Sequence, residues 1–433
     1  KSARKSKTSS KKFQMKIASY VFFIFLLSCG GSNENLIDLK SFTNQGEKIS
    51  LIKQKNLNTT DVNEISNLQK TKYKVYKNWS QSHQNQNNLI YPAKIFLDKK
   101  NKSISKNVNK FVIYKNKIIT IDSKSRVNVL DINFKSLKSK KIYKRKIYRN
   151  YNIDFKIITF KNKIFIADNL GNIHCLSIID LTVLWKKNFG VPFKSNLKIH
   201  RNNLYLINSN SKIYSISTED GKLNWSFETA SRDLKDNKSY QIAIYNNNLI
   251  FTNDNAEIYC LDLIKNNIKW SLIFQTANFE NTPLLFKSSP VSIDDNGYIF
   301  VSTNYGYTYS IDITTGLIKW SIPIYSTNRF NITEKYLVNS WNDRVFIIKK
   351  KNGKLVFNKK LNNSKKYNSK TFYKDLIIGN NWIYIFDNNG FKISLSKNNL
   401  SKYNRIKIAN NYQDSIIHKK NVYINTKNSI LKY

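Results

Sequence analysis

The side chains best suited to chemistry are few in this chain of 433 residues, which has three cysteines and four histidines. Metal and catalytic sites usually combine several such residues at fixed spacing. The histidines stand singly along the chain, at His83, His174, His200 and His418. We therefore predict no metal site and no bound cofactor, and we interpret these imidazoles as surface groups or as locally hydrogen-bonded ones.

Two of the cysteines, Cys175 and Cys260, occupy equivalent places in the segments "IHCLS" and "IYCLD". Each is flanked by apolar strand residues, and the two segments belong to non-adjacent repeats. Cysteines whose Cα atoms are more than about 7 Å apart cannot be bridged. The pattern predicts two buried thiols rather than a disulfide.

The third cysteine, Cys29, closes a segment that starts at Met15, the only methionine. A basic flank precedes the apolar residues 17–27, a run too short to span a bilayer comfortably and typical of a signal-peptide core. The ending "LLSC" resembles the lipobox of bacterial lipoproteins, which implies that Cys29 is diacylglycerylated and becomes the acylated amino terminus. The alternative is an ordinary secretory signal with an incidental cysteine.

The chain thus divides into three parts. Residues 1–28 are expected to be a signal peptide with an upstream extension, and residues 76–433 a folded body. Residues 29–75 are polar with little periodicity, which predicts a lipid-anchored flexible tether whose ends average about 35–40 Å apart. Gly30 follows the cysteine, and by resemblance to lipoproteins of double-membraned bacteria this favours the periplasmic face of the outer membrane.

The formal net charge of +44 raises the question of whether the protein binds nucleic acid. Nucleic-acid binders, however, concentrate Arg and Lys on one face, and Arg is prominent among them. Here Lys dominates and is spread along the chain beside much Asn, Ile and Tyr. We predict no nucleic-acid partner and interpret the charge as a coding bias, although attraction to anionic lipid or acidic partners stays open.

The body is one unit repeated eight times at a spacing of roughly 40–50 residues. The best copies end in tryptophan, and the sixth ends in Phe357. The copies span residues 116–132, 162–185, 202–225, 247–270, 296–320, 335–357, 381–403 and 421–433.

Each copy reads as alternating apolar residues, a tight turn, another alternating stretch, a second turn and a strand that ends in an aromatic residue. A further apolar strand precedes each copy. Four antiparallel strands per unit of this length predict a blade of a β-propeller. The fold class is therefore all-β, an eight-bladed β-propeller of four-stranded antiparallel blades.

The eighth copy stops after its third strand, which would leave a row of unpaired backbone groups. The segment "YKNWSQSH", residues 76–83, precedes the first blade and contains Trp79. We expect this N-terminal strand to supply the missing outer strand and so to close the ring.

The repeated tryptophans have a structural interpretation. A planar ring on an outer strand can wedge against the next blade, and the Gly or Asn four residues earlier supplies a left-handed turn. We predict that these tryptophans dock the blades and take no part in catalysis. They are Trp79, Trp185, Trp225, Trp270 and Trp320.

The repeat "SIDITTGLIKW", residues 310–320, closely resembles that of pyrroloquinoline-quinone-type propellers. Quinone-dependent dehydrogenases of this type carry adjacent cysteines and a Glu, Asn and Asp calcium site, and the sequence has no match for either. The second family is assembly factor B, a lipoprotein of the outer-membrane β-barrel assembly machinery. It combines a lipobox, a tether and eight such blades, and "NWSQSHQNQNNLIY", residues 78–91, resembles its Trp-x-Gln segment.

The resemblance to assembly factor B implies a scaffold rather than an enzyme. It would bind the periplasmic domains of the barrel-assembling subunit and assist unfolded outer-membrane protein clients, while its lipid holds it to the outer membrane. In that family, loops between blades carry partner contacts, including a Leu-x-Leu-Arg segment. The matching loop here has Leu234 at the first leucine, with Arg232 as a displaced substitute for the arginine.

Two alternatives come from other classes of function. One is a periplasmic quinone-binding dehydrogenase-like propeller, which added quinone and Ca²⁺ would reveal through a bound chromophore. The other is an envelope propeller that binds glycans. Exposed edge strands also suit β-augmentation of an extended client chain.

Overall fold

Strands account for nearly all the regular structure in the part of the chain that the structure describes. A computed structural model describes residues 59–60, 68, 71–97, 102–105, 108–231, 240–274, 285–361, 371–426 and 429–433. These residues form eight antiparallel sheets, and all but one of the sheets has four strands. The predicted eight-bladed all-β propeller is thereby confirmed.

The first four blades are each continuous in sequence, and their strands are given from the inside outward. Blade 1 contains β3 (Val108–Tyr114), β4 (Lys117–Asp122), β5 (Arg126–Asp131) and β6 (Ser136–Lys141). Blade 2 contains β7 (Phe155–Phe160), β8 (Lys163–Asp168), β9 (Asn172–Ser177) and β10 (Val183–Asn188). Blade 3 contains β11 (Lys198–His200), β12 (Asn203–Ile207), β13 (Lys212–Ser217) and β14 (Leu223–Glu228). Blade 4 contains β15 (Ile242–Tyr245), β16 (Asn248–Thr252), β17 (Glu257–Asp262) and β18 (Asn267–Ile273).

The last four blades follow the same plan, with additions to blades 6 and 8. Blade 5 contains β19 (Ser292–Ile293), β20 (Tyr298–Ser302), β21 (Thr308–Asp312) and β22 (Ile318–Ile322). Blade 6 contains β23 (Asn331–Ile332), β24 (Tyr336–Trp341), β25 (Arg344–Lys349), β26 (Leu355–Lys360) and, outermost, β1 (Thr59–Thr60). Blade 7 contains β27 (Tyr373–Ile378), β28 (Trp382–Asp387), β29 (Phe391–Ser396) and β30 (Tyr403–Lys407). Blade 8 contains β31 (Tyr412–His418), β32 (Asn421–Thr426), β33 (Ser429–Lys432) and β2 (Lys102–Ser105).

The first strand of each blade is the innermost, because these strands contact one another between blades. Strand β3 contacts both β7 of blade 2 and β31 of blade 8, so the last blade meets the first. Successive innermost strands run in the same direction, since each blade repeats the same up-and-down order. We call the end of the ring at the carboxyl ends of these strands the upper end, and the opposite one the lower end.

The core is divided among the junctions between blades. Ile, Val, Leu and Phe side chains from two neighbouring blades form each buried cluster, for example Ile121 of blade 1 with Ile164 of blade 2. Similar clusters join blades 2 and 3, 3 and 4, 4 and 5, 5 and 6, and 6 and 7. The largest one joins blades 7, 8 and 1 with residues of the N-terminal segment. Each blade is therefore stabilised through its neighbours, as in other repeat architectures.

Blade 8 combines both ends of the chain, but not through the segment we predicted. Its fourth strand is β2, in which Ile104 pairs with Ile430 and Ser103 with Leu431. The prediction that residues 76–83 supply this strand is wrong. The error arose because Trp79 in that segment matches the aromatic residue that ends the other outer strands. Strand β2 has the sequence "KSIS" and contains no aromatic residue.

The folded body also starts earlier than predicted. Strand β1 pairs with the outer edge of blade 6, Thr59 with Asn358 and Thr60 with Phe357. Leu68 is fully buried in the cluster between blades 6 and 7. The described residues between 59 and 75 therefore lie on the propeller, although we assigned them to the tether.

A six-residue helix, α1 (Arg145–Asn150), lies in the loop between blades 1 and 2. Within the described part of the chain, no helix has the length and apolar character needed to cross a bilayer.

Candidate functional site at the centre and ends of the ring

Residues 76–97, which we call the inner segment, follow the inside of the ring at its upper end. In the described part of the chain, eight backbone hydrogen bonds join this segment to the innermost strands or their ends. The partners lie in blades 1, 2, 4, 5, 6, 7 and 8: Trp79 with Ile113 (two bonds), Ser80 with Thr159, Gln86 with Ile244, Asn87 with Ile293, Ile90 with Ile332, Ala93 with Ile378, and Tyr76 with Lys419. One continuous stretch therefore closes the upper end of the central channel.

Blade 3 is reached through side chains instead. The Gln86 amide donates to the carbonyl of Ile199 at 2.6 Å. Lys198, which is fully buried, donates through its Nζ to the carbonyls of Ser82 at 3.2 Å and Asn85 at 2.5 Å. Burial lowers the pKa of Lys198 well below its ordinary value, because the charged ammonium loses its water.

Asparagine side chains link the inner segment to two blades at once. The buried Asn88 Nδ2 donates to the carbonyls of Ile242 in blade 4 and Val291 beside blade 5, at 3.0 and 2.8 Å. Asn87 donates in the same way to Ile293 at 3.0 Å. Strand ends inside the ring leave carbonyls that need donors, and these short amides supply them.

Trp79 belongs to this inner segment and not to an outer strand, so our placement of it was wrong. The ring is 2% exposed and packs beside Tyr76, with 5.5 Å between ring centroids. The guanidinium of Arg329 lies 5.9 Å from the Trp79 ring. Trp79 therefore anchors the inner segment against blade 1.

Below the inner segment the channel holds a cavity of about 250 Å³. That volume would take roughly eight water molecules. The wall includes the indole of Trp79 and several polar or charged side chains: Gln81, His83, Lys110, Lys156, Arg329 and Asp414. The cavity is thus a polar space in the middle of the ring.

An ion pair organises one side of this cavity. Arg329 donates to Asp375 at 2.8 Å, and both side chains are almost fully buried. The hydroxyls of Tyr412 and Ser415 also donate to Asp375, at 2.6 and 2.8 Å. The Asp375 carboxylate is therefore satisfied by three donors from blade 8 and from the loop before blade 6.

Burial affects other charges of the cavity wall. It raises the pKa of Asp414, while the neighbouring Lys110 and Arg329 act in the opposite direction. It lowers the pKa of Lys156, which is paired with Asp154. Among the described residues, no three His, Cys, Asp or Glu side chains are grouped to hold a metal ion.

Outer-strand tryptophans lie between blades at the upper end of the ring. The indole N–H of Trp270 donates to the carbonyl of Ile313 at 2.8 Å, and that of Trp320 donates to Lys350 at 2.7 Å. Trp185 makes the same contact with Thr218 at 3.3 Å. Trp225 contacts Tyr205 of its own blade, with 6.0 Å between ring centroids.

Each of three tryptophans packs on a glycine in the turn of the next blade. A Cβ atom on Gly316 would lie 2.7 Å from the Trp270 ring, and one on Gly353 would lie 2.9 Å from the Trp320 ring. The glycine that faces Trp185 is Gly221. All three glycines have φ near +70°. Glycine adopts this left-handed conformation easily because it has no Cβ atom, whereas a residue with a side chain is strained there. The turn facing Trp225 has Asn266 instead, with φ of 55°.

The remaining predicted site residues lie elsewhere or outside the described residues. Cys29, Arg232 and Leu234 are outside them. Cys175 and Cys260 are buried free thiols, as predicted, and burial raises the pKa of each to about 12. The sequence analysis did not predict that the inner segment closes the channel. Its run of Asn and Gln between two apolar stretches does, however, indicate side-chain amides that could donate to backbone carbonyls.

The sheet topology and the inner segment together define the structural class of the protein. The protein is an eight-bladed β-propeller with an inner segment that closes one end of the channel.

Within that class, the chain is similar to BamB. Residues 157–359 match the family model described as outer membrane protein assembly factor BamB. The crystal structure of BamB from Moraxella catarrhalis has a TM-score of 0.63 at 13% identity, covering 77% of this chain and 98% of that one. The crystal structure of the computationally designed Ika8 protein has a TM-score of 0.56 at 10% identity, with the same coverage. No curated protein matches the chain in sequence.

Proposed function

We propose that this protein is a non-enzymatic scaffold lipoprotein of the outer-membrane β-barrel assembly machinery. The observation that carries the proposal is the match of residues 157–359 to the BamB family model, on a chain whose fold is a BamB-like propeller. The segment ending in Cys29 supports a lipid anchor on the periplasmic face of the outer membrane. The scaffold has no reaction and no bound cofactor of its own.

The partner is the barrel-assembling subunit, contacted through its periplasmic domains by loops at the lower end of the ring. These loops join the outer strand of one blade to the innermost strand of the next. They carry exposed large side chains, for example Tyr151 between blades 1 and 2, which is 57% exposed. Large aromatic side chains and Arg are enriched at interface centres.

Affinity purification from envelope membranes tests the partner. The full chain is purified from the membranes with its lipid anchor intact, and the proteins that are recovered with it are identified. We expect the barrel-assembling subunit in stoichiometric amount with the wild type, and its loss when Arg232 and Leu234 are both replaced by Ala. The matched control replaces Arg201 and Leu317 by Ala, an exposed arginine and an exposed leucine on turns at the upper end of the ring.

The outcomes separate the parts of the proposal. Unchanged recovery in both double variants would remove the Arg232 loop from the interface. If the wild type recovers no assembly subunit, the scaffold proposal itself fails. A chromophore bound after addition of pyrroloquinoline quinone and Ca²⁺ would favour the dehydrogenase-like alternative instead.

Assistance to unfolded clients would use the outer edges of the blades. The chain's own β1 already adds a strand to blade 6, which supports the view that such edges accept an extended segment. Exposed aliphatic side chains stand on the outer strands of four other blades, at Leu184, Leu223, Ile268 and Ile318. Photocrosslinkers at these positions should label an unfolded outer-membrane client, and no adduct at any of them would contradict this role.

A further inference from the structure

The upper end of the ring has a concave, strongly basic surface over blades 8 and 1. Its volume is about 600 Å³, and six of the nine residues that line it are lysines, listed as Lys74, Lys77, Lys94, Lys115, Lys419 and Lys420. The other three are Val75, Asn78 and Asn116, so the lining contains no carboxylate. We call this surface the lysine basin.

The basin is built from parts of the chain that are far apart in sequence. The backbone N–H of Lys419 donates to the carbonyl of Tyr76, and that of Lys115 donates to the Asn78 side chain at 2.8 Å. These two bonds hold the turn of blade 8 and the turn of blade 1 on either side of the inner segment. The six exposed ammonium groups are therefore brought together by the fold rather than by a run of lysines.

Lysines elsewhere in the ring have carboxylate partners that these lack. Lys350 pairs with Asp294 at 2.9 Å, Lys163 with Glu219 at 2.5 Å and Lys360 with Asp343 at 2.7 Å. Within the described residues, none of the six basin lysines lies in such a pair. Acidic side chains do stand on other turns of the upper end, for example Asp131 of blade 1, Asp220 of blade 3 and Glu334 of blade 6, but none of them lines the basin. The basin lining itself therefore carries positive charge alone.

Exposed apolar side chains accompany the positive charge. Val75 in the basin lining is 64% exposed, and Phe96 is 53% exposed. Along the inner segment Ala93, Ile95 and Leu97 are fully buried, so the alternation turns Lys94 and Phe96 outward together. Ammonium groups beside an aromatic and an aliphatic side chain are typical of surfaces that rest on the headgroup region of a bilayer.

We propose that the lysine basin binds the phosphate headgroups of anionic phospholipids and that Val75 and Phe96 enter the interface beside them. The basin lysines attract the anionic surface over about a Debye length, and each contributes a similar share of the binding. This contact goes beyond the proposed scaffold role. It would hold the upper end against the membrane and leave the lower-end loops facing away from it.

Flotation with lipid vesicles tests the proposal. The chain used begins at residue 29 and carries Cys29→Ser, so that neither the apolar residues 17–27 nor acylation can anchor it, and vesicles of phosphatidylethanolamine with and without phosphatidylglycerol are compared. The test variant adds Lys77→Gln, Lys94→Gln, Lys420→Gln and Lys419→Asn; asparagine is chosen because residue 419 has φ of 55°, which Asn tolerates. The control adds Lys138→Gln, Lys187→Gln, Lys265→Gln and Lys269→Gln, four exposed lysines outside the basin.

We expect flotation only with phosphatidylglycerol, weakened by salt, and at least roughly tenfold weaker partitioning of the test variant but not of the control. A second variant, Val75→Ser with Phe96→Ser, should weaken binding by an amount that high salt does not remove. Equal losses in test variant and control would mean that bulk charge alone binds lipid, and would overturn the proposal. Absence of flotation would also overturn it, as would selective capture of the wild type by polyglutamate without vesicle binding.

Discussion

The rim and the centre of this propeller are stabilised in different ways. At the rim the same pair recurs from blade to blade, an outer-strand tryptophan on a turn glycine, as in Trp270 with Gly316. At the centre one non-repeating segment bonds to each blade through different residues. A repeated contact can be lost once and leave its other copies intact, whereas the inner segment exists only once. The centre should therefore be the more sensitive region.

Removal of the inner segment should have the largest effect. A chain that begins at residue 98 loses the eight backbone hydrogen bonds to the innermost strands. At about 1 kcal/mol each, this is on the order of the whole stability of a domain. We expect this chain to be insoluble or to melt more than about 10 °C lower, as measured by circular dichroism.

A chain that begins at residue 71 is the control, since it keeps the whole inner segment. Its melting temperature should lie much closer to that of the full chain, the difference coming from β1 and Leu68. Equal melting of the chains that begin at residues 71 and 98 would show that the centre needs no closing segment.

A pair of tryptophan substitutions compares the two regions directly. Trp79→Ala at the centre removes a ring that is 2% exposed and should cost about 3–5 kcal/mol of unfolding free energy. Trp270→Ala at the rim removes a partly buried ring and should cost roughly half as much. Urea unfolding of both variants gives the two values. A larger loss for Trp270→Ala would reverse the comparison.

Two glycine substitutions separate the cost of backbone strain from the cost of a steric clash at the rim contact. Gly316→Ala places a Cβ atom 2.7 Å from the Trp270 ring at φ of 76°, and should cost about 2–4 kcal/mol. Gly190→Ala is the matched control, because φ is 71° and nothing lies within 4 Å of the added atom. It should cost only about 1 kcal/mol. Similar losses in urea unfolding would mean that the tryptophan does not constrain the turn.

The same contrast explains how much the sequence could predict. Gly221, Gly316 and Gly353 each precede an aromatic residue by four positions, so the repeat, its turns and the eight blades were visible as a period. Asn88 carries no such signal, because its two carbonyl partners are 154 and 203 residues away. Residues 76–83 were placed at the rim because Trp79 matches the rim pattern, and a local pattern does not say which edge of a ring a segment occupies.

The candidate site was less predictable than the fold for a related reason. Lys77, Lys115 and Lys420 look like ordinary surface lysines in a chain with 72 basic residues. Only the contact of the inner segment with blades 8 and 1 brings them into one concave surface. The short strand β2 was missed because two of its four residues are serine and none is aromatic, although it completes blade 8.

The smallest expected effect concerns Lys198 at the centre and appears as a pH dependence. Burial lowers the pKa of Lys198 well below its ordinary value, so the unfolded chain holds this proton up to about pH 10.4, while the folded chain loses it at lower pH. The unfolded state then binds more protons in that window, and stability rises with pH by at most about 1.4 kcal/mol per unit. Lys198→Met lacks this gain, so its stability relative to the wild type should fall from pH 7 to pH 10 in urea unfolding. The control is Lys187→Met, at an exposed site on the rim, whose unfolding free energy should change with pH in parallel with that of the wild type. If the pH curve of Lys198→Met were also parallel to that of the wild type, the buried lysine would have an ordinary pKa.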